Sequence, residues 1–245
     1  MVVVAVQKKS GATPMTSLRR VDPDKAPVDQ IHETLLAAIL SFEIEPGVRV
    51  SEAEIARAVG ASRTPVRAAL ARLGDEGLIE TRPSRGNYVT RLSATAVRDA
   101  HFVRDALESA TVAHLARGEL SAPMAARLDA NLTAAGRAAE RGDDAAFGPL
   151  DDAFHHLLAE ATGHARLVQL LVREKAGLAR LRALCPADTS YMRCIVAEHE
   201  GILRAIEGGD EHAARTRLSA HIGRVLATLE GLQDAHAEFF EESVR

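Results

Sequence analysis

The sequence predicts a mostly α-helical chain: an N-terminal winged helix-turn-helix followed by a C-terminal antiparallel all-α bundle of about six helices. Three observations predict it. Between Ser51 and Val89, two short helical patterns meet at a Gly-containing turn and lead into two strand-like runs. From Ser93 to about residue 235, apolar residues recur at helical spacing with no strand signal. Aromatic residues are only 3% of the chain and Trp is absent, while Ala, Leu and Arg abound, which favours helices over sheets. A chain of 245 residues holds one large or two ordinary domains, and 47% hydrophobic content suffices for a core.

Residues 1–26 mix Lys, Ser, Thr, Pro and Gly without a period and are expected to form a disordered tail. Pro27 to Phe42 reads as a helix with Ile31, Leu35, Ala38 and Ile39 on one stripe, ending before Pro46-Gly47. Ser51 and Glu54 form a capping-box start for a helix over Glu52 to Val59, and Gly60 stops it. Ser62 is a suitable N-cap for the next helix, whose first turn tolerates Pro65. That helix has divided faces. Val66, Ala69, Leu70 and Leu73 fall on one side, while Arg63, Thr64 and Arg67 point the other way. Arg63 and Arg67 lie one turn apart at the end that a recognition helix presents to the major groove. Leu78 to Thr81 and Asn87 to Thr90 read as strands joined by Arg82-Pro-Ser-Arg-Gly86, which places Arg85 and Gly86 at a wing tip. Each feature alone fits an ordinary core helix with a wet arginine face; together, within forty residues, they indicate DNA binding.

The net charge of −4 is unusual for a DNA binder. Residues 28–90 hold seven arginines against nine carboxylates, so the head is not uniformly basic. No acid lies between Arg63 and Arg72 in sequence, and this local concentration suits site-specific binding with weak non-specific affinity. Cys185 and Cys194 have no CxxC spacing and are expected to be reduced. The opening MVVVAV is too short for a signal segment, and no apolar run approaches the ~18 residues a membrane span requires. The chain is therefore expected to be cytoplasmic.

Beyond a boundary at Arg91-Leu-Ser93, helices are predicted over about 93–117, 122–141, 143–162, 164–184, 187–207 and 210–235. This gives domains at 27–91 and 92–236, with a tail over 237–245. Asp151 and His155 stand at i and i+4 on one helix face, His199 opens a turn of a later helix, and His221 lies on the last. Three adjacent helices can aim these side chains at one interior point, and a carboxylate with three imidazoles suits Zn, Ni or Mn and not Ca. The spacing alone does not decide between such a site and scattered histidines, as His156, His164 and His212 are taken to be.

The stretch EPGVRVSEAEIARAVGASRTPVRAALARLGDEGLIETRPSRGNYV strongly resembles the DNA-binding domain of GntR-family bacterial transcription regulators. The resemblance implies base and phosphate contacts by Ser62, Arg63, Thr64 and Arg67 and a wing tip at Gly86. Some members carry an arginine where this chain has Ala53, and Arg49 is the candidate to compensate. Arg104 to Glu108, DDAFHHLLAEATGHARL and EHEGILRAIEGGDEHAARTRLSAHI resemble the ligand-sensing FCD domain of the FadR-type branch, so the likeness covers about 28–235. It implies a metal on Asp151, His155, His199 and His221, zinc first with nickel or manganese as alternatives, which helps to bind a small carboxylic or sugar acid. The fatty acyl-CoA sensor that names the branch lacks the metal, so that effector is not expected here. This chain has His164 where the family usually has Asn, which bears on a helix cap. Arg104 matches an arginine that faces the effector; the competing reading is a simple i, i+4 pair with Glu108.

The function expected is a homodimeric transcription regulator, a repressor by family habit, that binds a near-palindromic double-stranded operator and releases it when the effector binds. The alternatives are a metal-dependent hydrolase carrying a DNA-binding head and an architectural DNA binder with a structural metal. Against the hydrolase, no acid is clearly placed as general base; Glu198 neighbours His199 in sequence, but side chains at i and i+1 diverge.

Overall fold

The structure, a computed structural model, describes residues 18–22, 24–184 and 188–241. Among these, nine α-helices and three short strands follow in order. They are α1 (Pro27–Leu40), β1 (Arg49–Val50), α2 (Glu52–Val59), α3 (Arg63–Asp75), β2 (Ile79–Arg82), β3 (Gly86–Val89), α4 (Ala94–His114), α5 (Ala122–Arg141), α6 (Asp144–Ala161), α7 (Ala165–Ala183), α8 (Thr189–Glu207) and α9 (Glu211–Ala235). A π-helical turn, Leu115–Glu119, extends α4, and a 3-10 turn, Ala237–Phe239, follows α9. The mostly α class and the helix order agree with the sequence reading. The strand β1 was not anticipated, because two residues carry no readable period. The Pro186 break and Cys185 lie outside the described residues.

The chain divides into two compact units. One gathers residues up to 96 with 176–184 and 229 onward; the other comprises 97–175 and 185–228. In the first unit, Ser51 caps α2 by accepting from the Glu54 N–H, and Gly60 ends it in the left-handed region at φ 73°. Ile31, Leu35 and Ile39 of α1, Ile55 and Val59 of α2, and Val66, Leu70 and Leu73 of α3 enclose one apolar core. The sheet runs β1-β3-β2, all antiparallel, with Arg49 opposite Tyr88 and Arg82 opposite Gly86. Gly86 suits the wing turn because its φ is 101°, a backbone conformation that side chains disfavour.

Both predicted tails meet a correction. Within the expected N-terminal tail, Leu18 is buried in the head core, the Val21 N–H donates to Val59 O at 3.0 Å, and Gln30 holds Asp22 through both its amide atoms. Residues 1–17 lie outside the described residues. At the other end, Phe239 and Phe240 are 3% exposed. Phe239 stacks on Phe42 with centroids 5.3 Å apart, Leu92 N–H donates to Phe239 O, and Glu241 N–H donates to Leu92 O. A single Leu and a Phe pair have no period to display, which is why the sequence reading assigned these segments to tails.

In the second unit, Val112, Leu128, Phe154, Leu158, Ile202, Ile206, Leu218 and Ile222 form the main core across α4, α5, α6, α8 and α9. Ala135, Ala138 and Ala139 of α5 pack with Phe147 of α6 and Met192, Ile195 and Val196 of α8, small residues permitting close approach. No helix among the described residues is long and apolar enough to cross a membrane.

Phe239→Ala should destabilise the protein by about 3 kcal/mol, by loss of buried ring area and the cavity left behind. Phe102→Ala, at a position 75% exposed, should change stability by less than about 0.5 kcal/mol. Urea denaturation followed by circular dichroism measures both.

Candidate functional site

Two groups of residues carry chemistry. In the head, Ser62 precedes α3 in an extended conformation, and its hydroxyl makes no capping bond. Ser62, Arg63 and Thr64 are exposed on the first turn of α3. Arg67 is exposed too, but its fork grips Glu52 of α2 with Nε at 3.1 Å and Nη2 at 2.9 Å. The Glu52 carboxyl is held below its usual range by that bond, outweighing burial. Arg72 pairs with Asp29 at 3.0 Å and with Glu76 at 3.6 Å. No acid lies between Arg63 and Arg72 in sequence, but Glu52, Asp29 and Glu76 reach Arg67 and Arg72 in space. On the wing, Arg85 is exposed at the tip, and Arg49 reaches across to Gly86. Arg82 lies over the Tyr88 ring at 4.4 Å and pairs with Glu80.

The second group lies in the helical unit. Helix α6 presents Asp151 and His155, α8 presents His199, and α9 presents His221. One ligand atom from each lies within 4.8 Å of every other. The sequence reading named these four, and the structure brings them together. His155, His199 and His221 are buried, at 5%, 1% and 8% exposure. The His221 Nε2 stands 3.0 Å from His199 Nε2 and 3.2 Å from His155 Nε2. Asp151 Oδ1 is 3.6 Å from His199 Nε2. The fully buried Phe154 ring stacks on His199 at 4.0 Å, walling that side with carbon.

Two carboxylates, named in the sequence reading but not as partners of the imidazoles, face their Nδ1 atoms. Glu108 Oε2 on α4 lies 2.7 Å from His155 Nδ1, and Arg104 donates through Nε to Glu108 Oε1 at 2.6 Å. Glu198 Oε2 on α8 lies 2.9 Å from His221 Nδ1, and Arg224 of α9 grips the same carboxylate. Burial works against the Glu108 charge, yet the His155 and Arg104 donors outweigh it and hold the carboxyl well below its usual range. Burial works against Glu198 as well, but bonds from His221 and Arg224 hold it at about 2. Burial pulls His155 down, outweighing the upward pull of Glu108.

An imidazole whose Nδ1 faces a carboxylate turns its Nε2 away from it, and Glu108 and Glu198 give His155 and His221 such partners. Their Nε2 atoms stand 3.2 Å apart and out of water. With the protons on Nδ1, these atoms offer two lone pairs that a metal ion or a shared proton would satisfy. Adjacent donors on a transition-metal ion with bonds of about 2.1 Å stand about 3 to 3.4 Å apart, close to the two imidazole separations of 3.0 and 3.2 Å. Three imidazole nitrogens and a carboxylate oxygen form a borderline donor set, so the residues fit a divalent transition ion. Carboxylate–histidine pairs behind such ligands are the usual second layer of support. A signal for Glu108 was present: it is an acid on the buried stripe of α4 that also carries Val97, Thr111 and Val112. Glu198 was weighed only as a general base; it is occupied instead by His221 and Arg224.

Comparison with known proteins places these features in context. Residues 27–89 match the family described as bacterial regulatory proteins, gntR family, and residues 99–224 match the FCD domain. A Streptomyces ambofaciens HTH-type transcriptional regulator from an unstable DNA locus is 34% identical over 210 residues, covering 86% of this chain and 88% of that protein. The HTH-type transcriptional repressor RspR of Escherichia coli K12 is 29% identical over 228 residues, covering 93% and 100%. Among solved structures, McbR/YncC of E. coli superposes with a TM-score of 0.68 at 24% identity over 84% of this chain and 98% of that one. A transcriptional regulator from Rhodococcus sp. RHA1 superposes with a TM-score of 0.70 at 23% identity, over 84% and 99%. These two show the shared fold.

Glu108→Gln and Glu198→Gln should each weaken zinc binding by about 10- to 100-fold without unfolding the protein. Competition with a chromogenic chelator measures this. His199→Ala combined with His221→Ala should abolish stoichiometric metal in elemental analysis.

Proposed function

Because the chain belongs to the GntR family of bacterial transcription regulators, with an FCD domain behind its DNA-binding head, we propose that it is a metabolite-responsive repressor whose operator affinity is set at the Asp151, His155, His199 and His221 centre. The observation that carries this reading is the convergence of three imidazole nitrogens and the Asp151 carboxylate, with Glu108 behind His155 and Glu198 behind His221. These four residues would hold zinc, with nickel or manganese as alternatives, and the ion would supply Lewis-acid charge for a carboxylate effector. The protein's own groups do the rest. Glu108 and Glu198 hold the rings, Phe154 excludes water beside His199, and Asp151 lowers the charge of the site. Arg104 uses Nε on Glu108 and turns the other edge of its guanidinium to a small carboxylic or sugar acid.

In the head, Ser62, Arg63, Thr64 and Arg67 meet bases and phosphates of a major groove, and Arg49, Arg85 and Gly86 meet the flanking backbone. A dimer carries two such heads to the half-sites of a near-palindromic operator. Effector and operator favour different conformers, so each lowers the affinity for the other. The name of RspR as a repressor supports the sign of regulation. The relatives are named as regulators, and the hydrolase alternative finds no support among them.

Arg63→Ala and Arg67→Ala should each cost about 1–3 kcal/mol of operator affinity, a tenfold loss or more, with unchanged helicity. Fluorescence anisotropy with the chain's own promoter fragment measures it, and undiminished binding contradicts the recognition face. In the same assay, a screen of small carboxylic and sugar acids should find one that releases the metal-loaded protein from DNA and fails after chelation. Release that survives chelation would remove the metal from the effector site.

A further inference from the structure

We propose that Arg180 is a positioning residue for DNA binding: from α7 it holds the foot of the wing at Thr90, so that Arg85 and Gly86 meet the duplex. The inference rests on the reading that the wing contacts DNA. Arg180 is 3% exposed. Its Nη2 donates to Thr90 O at 2.7 Å and its Nη1 to Thr90 Oγ1 at 3.1 Å. Thr90 directly follows β3, and it also ties down the start of β2. Its N–H donates to Leu78 O at 3.0 Å, and its hydroxyl donates to Gly77 O at 2.8 Å. A planar fork with two donors on one residue fixes both the carbonyl and the side-chain oxygen, which a single donor cannot do.

The contact is a poor choice for stability alone. No carboxylate among the described residues pairs with this guanidinium, and its Nε is buried without a hydrogen-bond partner. Burial pulls it down to about 10, so it remains charged at neutral pH. Its neighbours Leu178, Leu181 and Leu184 are buried apolar residues, and a Met would pack among them without the cost of an unpaired charge. What the arginine adds is direction. The chain at this point is held again two residues later, where Leu92 pairs with Phe239 and Glu241, so the foot of the wing is fixed from two sides. The first half of the same helix, through Val168 and Leu171, lines a small cavity beside Glu108 and His155.

The test is a double-mutant cycle on operator affinity with the full chain, read by fluorescence anisotropy. Arg85→Ala and Arg180→Met should each weaken binding about tenfold, and the double variant should be little worse than either, because both remove the same wing contact. Arg63→Ala combined with Arg180→Met should instead multiply to about a hundredfold, since Arg63 makes its own contact apart from that of Arg85 and Gly86. Arg180→Lys, which keeps one donor for Thr90 O, should recover most of the affinity. If Arg180→Met does not fold, Thr90→Val carries the same cycle, with the same non-additivity against Arg85→Ala. Wild-type affinity in Arg180→Met, or losses that multiply with Arg85→Ala, overturns the inference and leaves the wing reading intact. Wild-type affinity in Arg85→Ala overturns both.

Discussion

Two imidazole Nε2 atoms facing each other out of water set the terms for the helical unit. Glu108 and Glu198 each take the Nδ1 side of an imidazole, and that choice turns the Nε2 atoms of His155 and His221 toward one another at 3.2 Å. An unsatisfied buried polar group costs about 1–3 kcal/mol, and two in opposition cost more. The arginines behind the carboxylates, Arg104 and Arg224, keep those acids ionised and so keep the rings from turning round. The centre is therefore built from outside inward, from Arg to Glu to His, along two separate routes that use four helices. The metal ion proposed above would satisfy these nitrogens together.

The head shows a different use of paired charge. Arg67 rests on Glu52, so that Glu52 and a DNA phosphate compete for one guanidinium. On the proposed reading such competition would weaken non-specific binding, while Arg63, Thr64 and Ser62 are exposed beside it. It also accounts for a DNA-binding head with more carboxylates than arginines. Charge here is distributed by position, and the net value of −4 describes none of it.

Much of this was legible in the residues. The capping box at Ser51 and Glu54, the stop at Gly60 and the apolar stripe of α3 are local signals, and the helices lie where they indicated. Asp151 and His155 are four residues apart on a helix, which fixes them to one face whatever the tertiary fold. His199 and His221 needed the family resemblance, since nothing local says that α8 and α9 meet α6. The parts that escaped are those decided by partners distant in sequence. Glu108 lies 47 residues from His155, and Phe239 meets Phe42 from the far end of the chain. The acids that neutralise Arg67 and Arg72 come from α2, α1 and the next turn of α3, so a charge count along the recognition helix alone misjudged its surface.

X-ray absorption at the metal edge of protein purified without chelator tests the account most directly. The prediction is a first shell of three imidazole nitrogens and one carboxylate oxygen, completed by light oxygen atoms and without sulfur. A sulfur shell, a shell with fewer than two imidazoles, or the absence of any stoichiometric metal edge would contradict it.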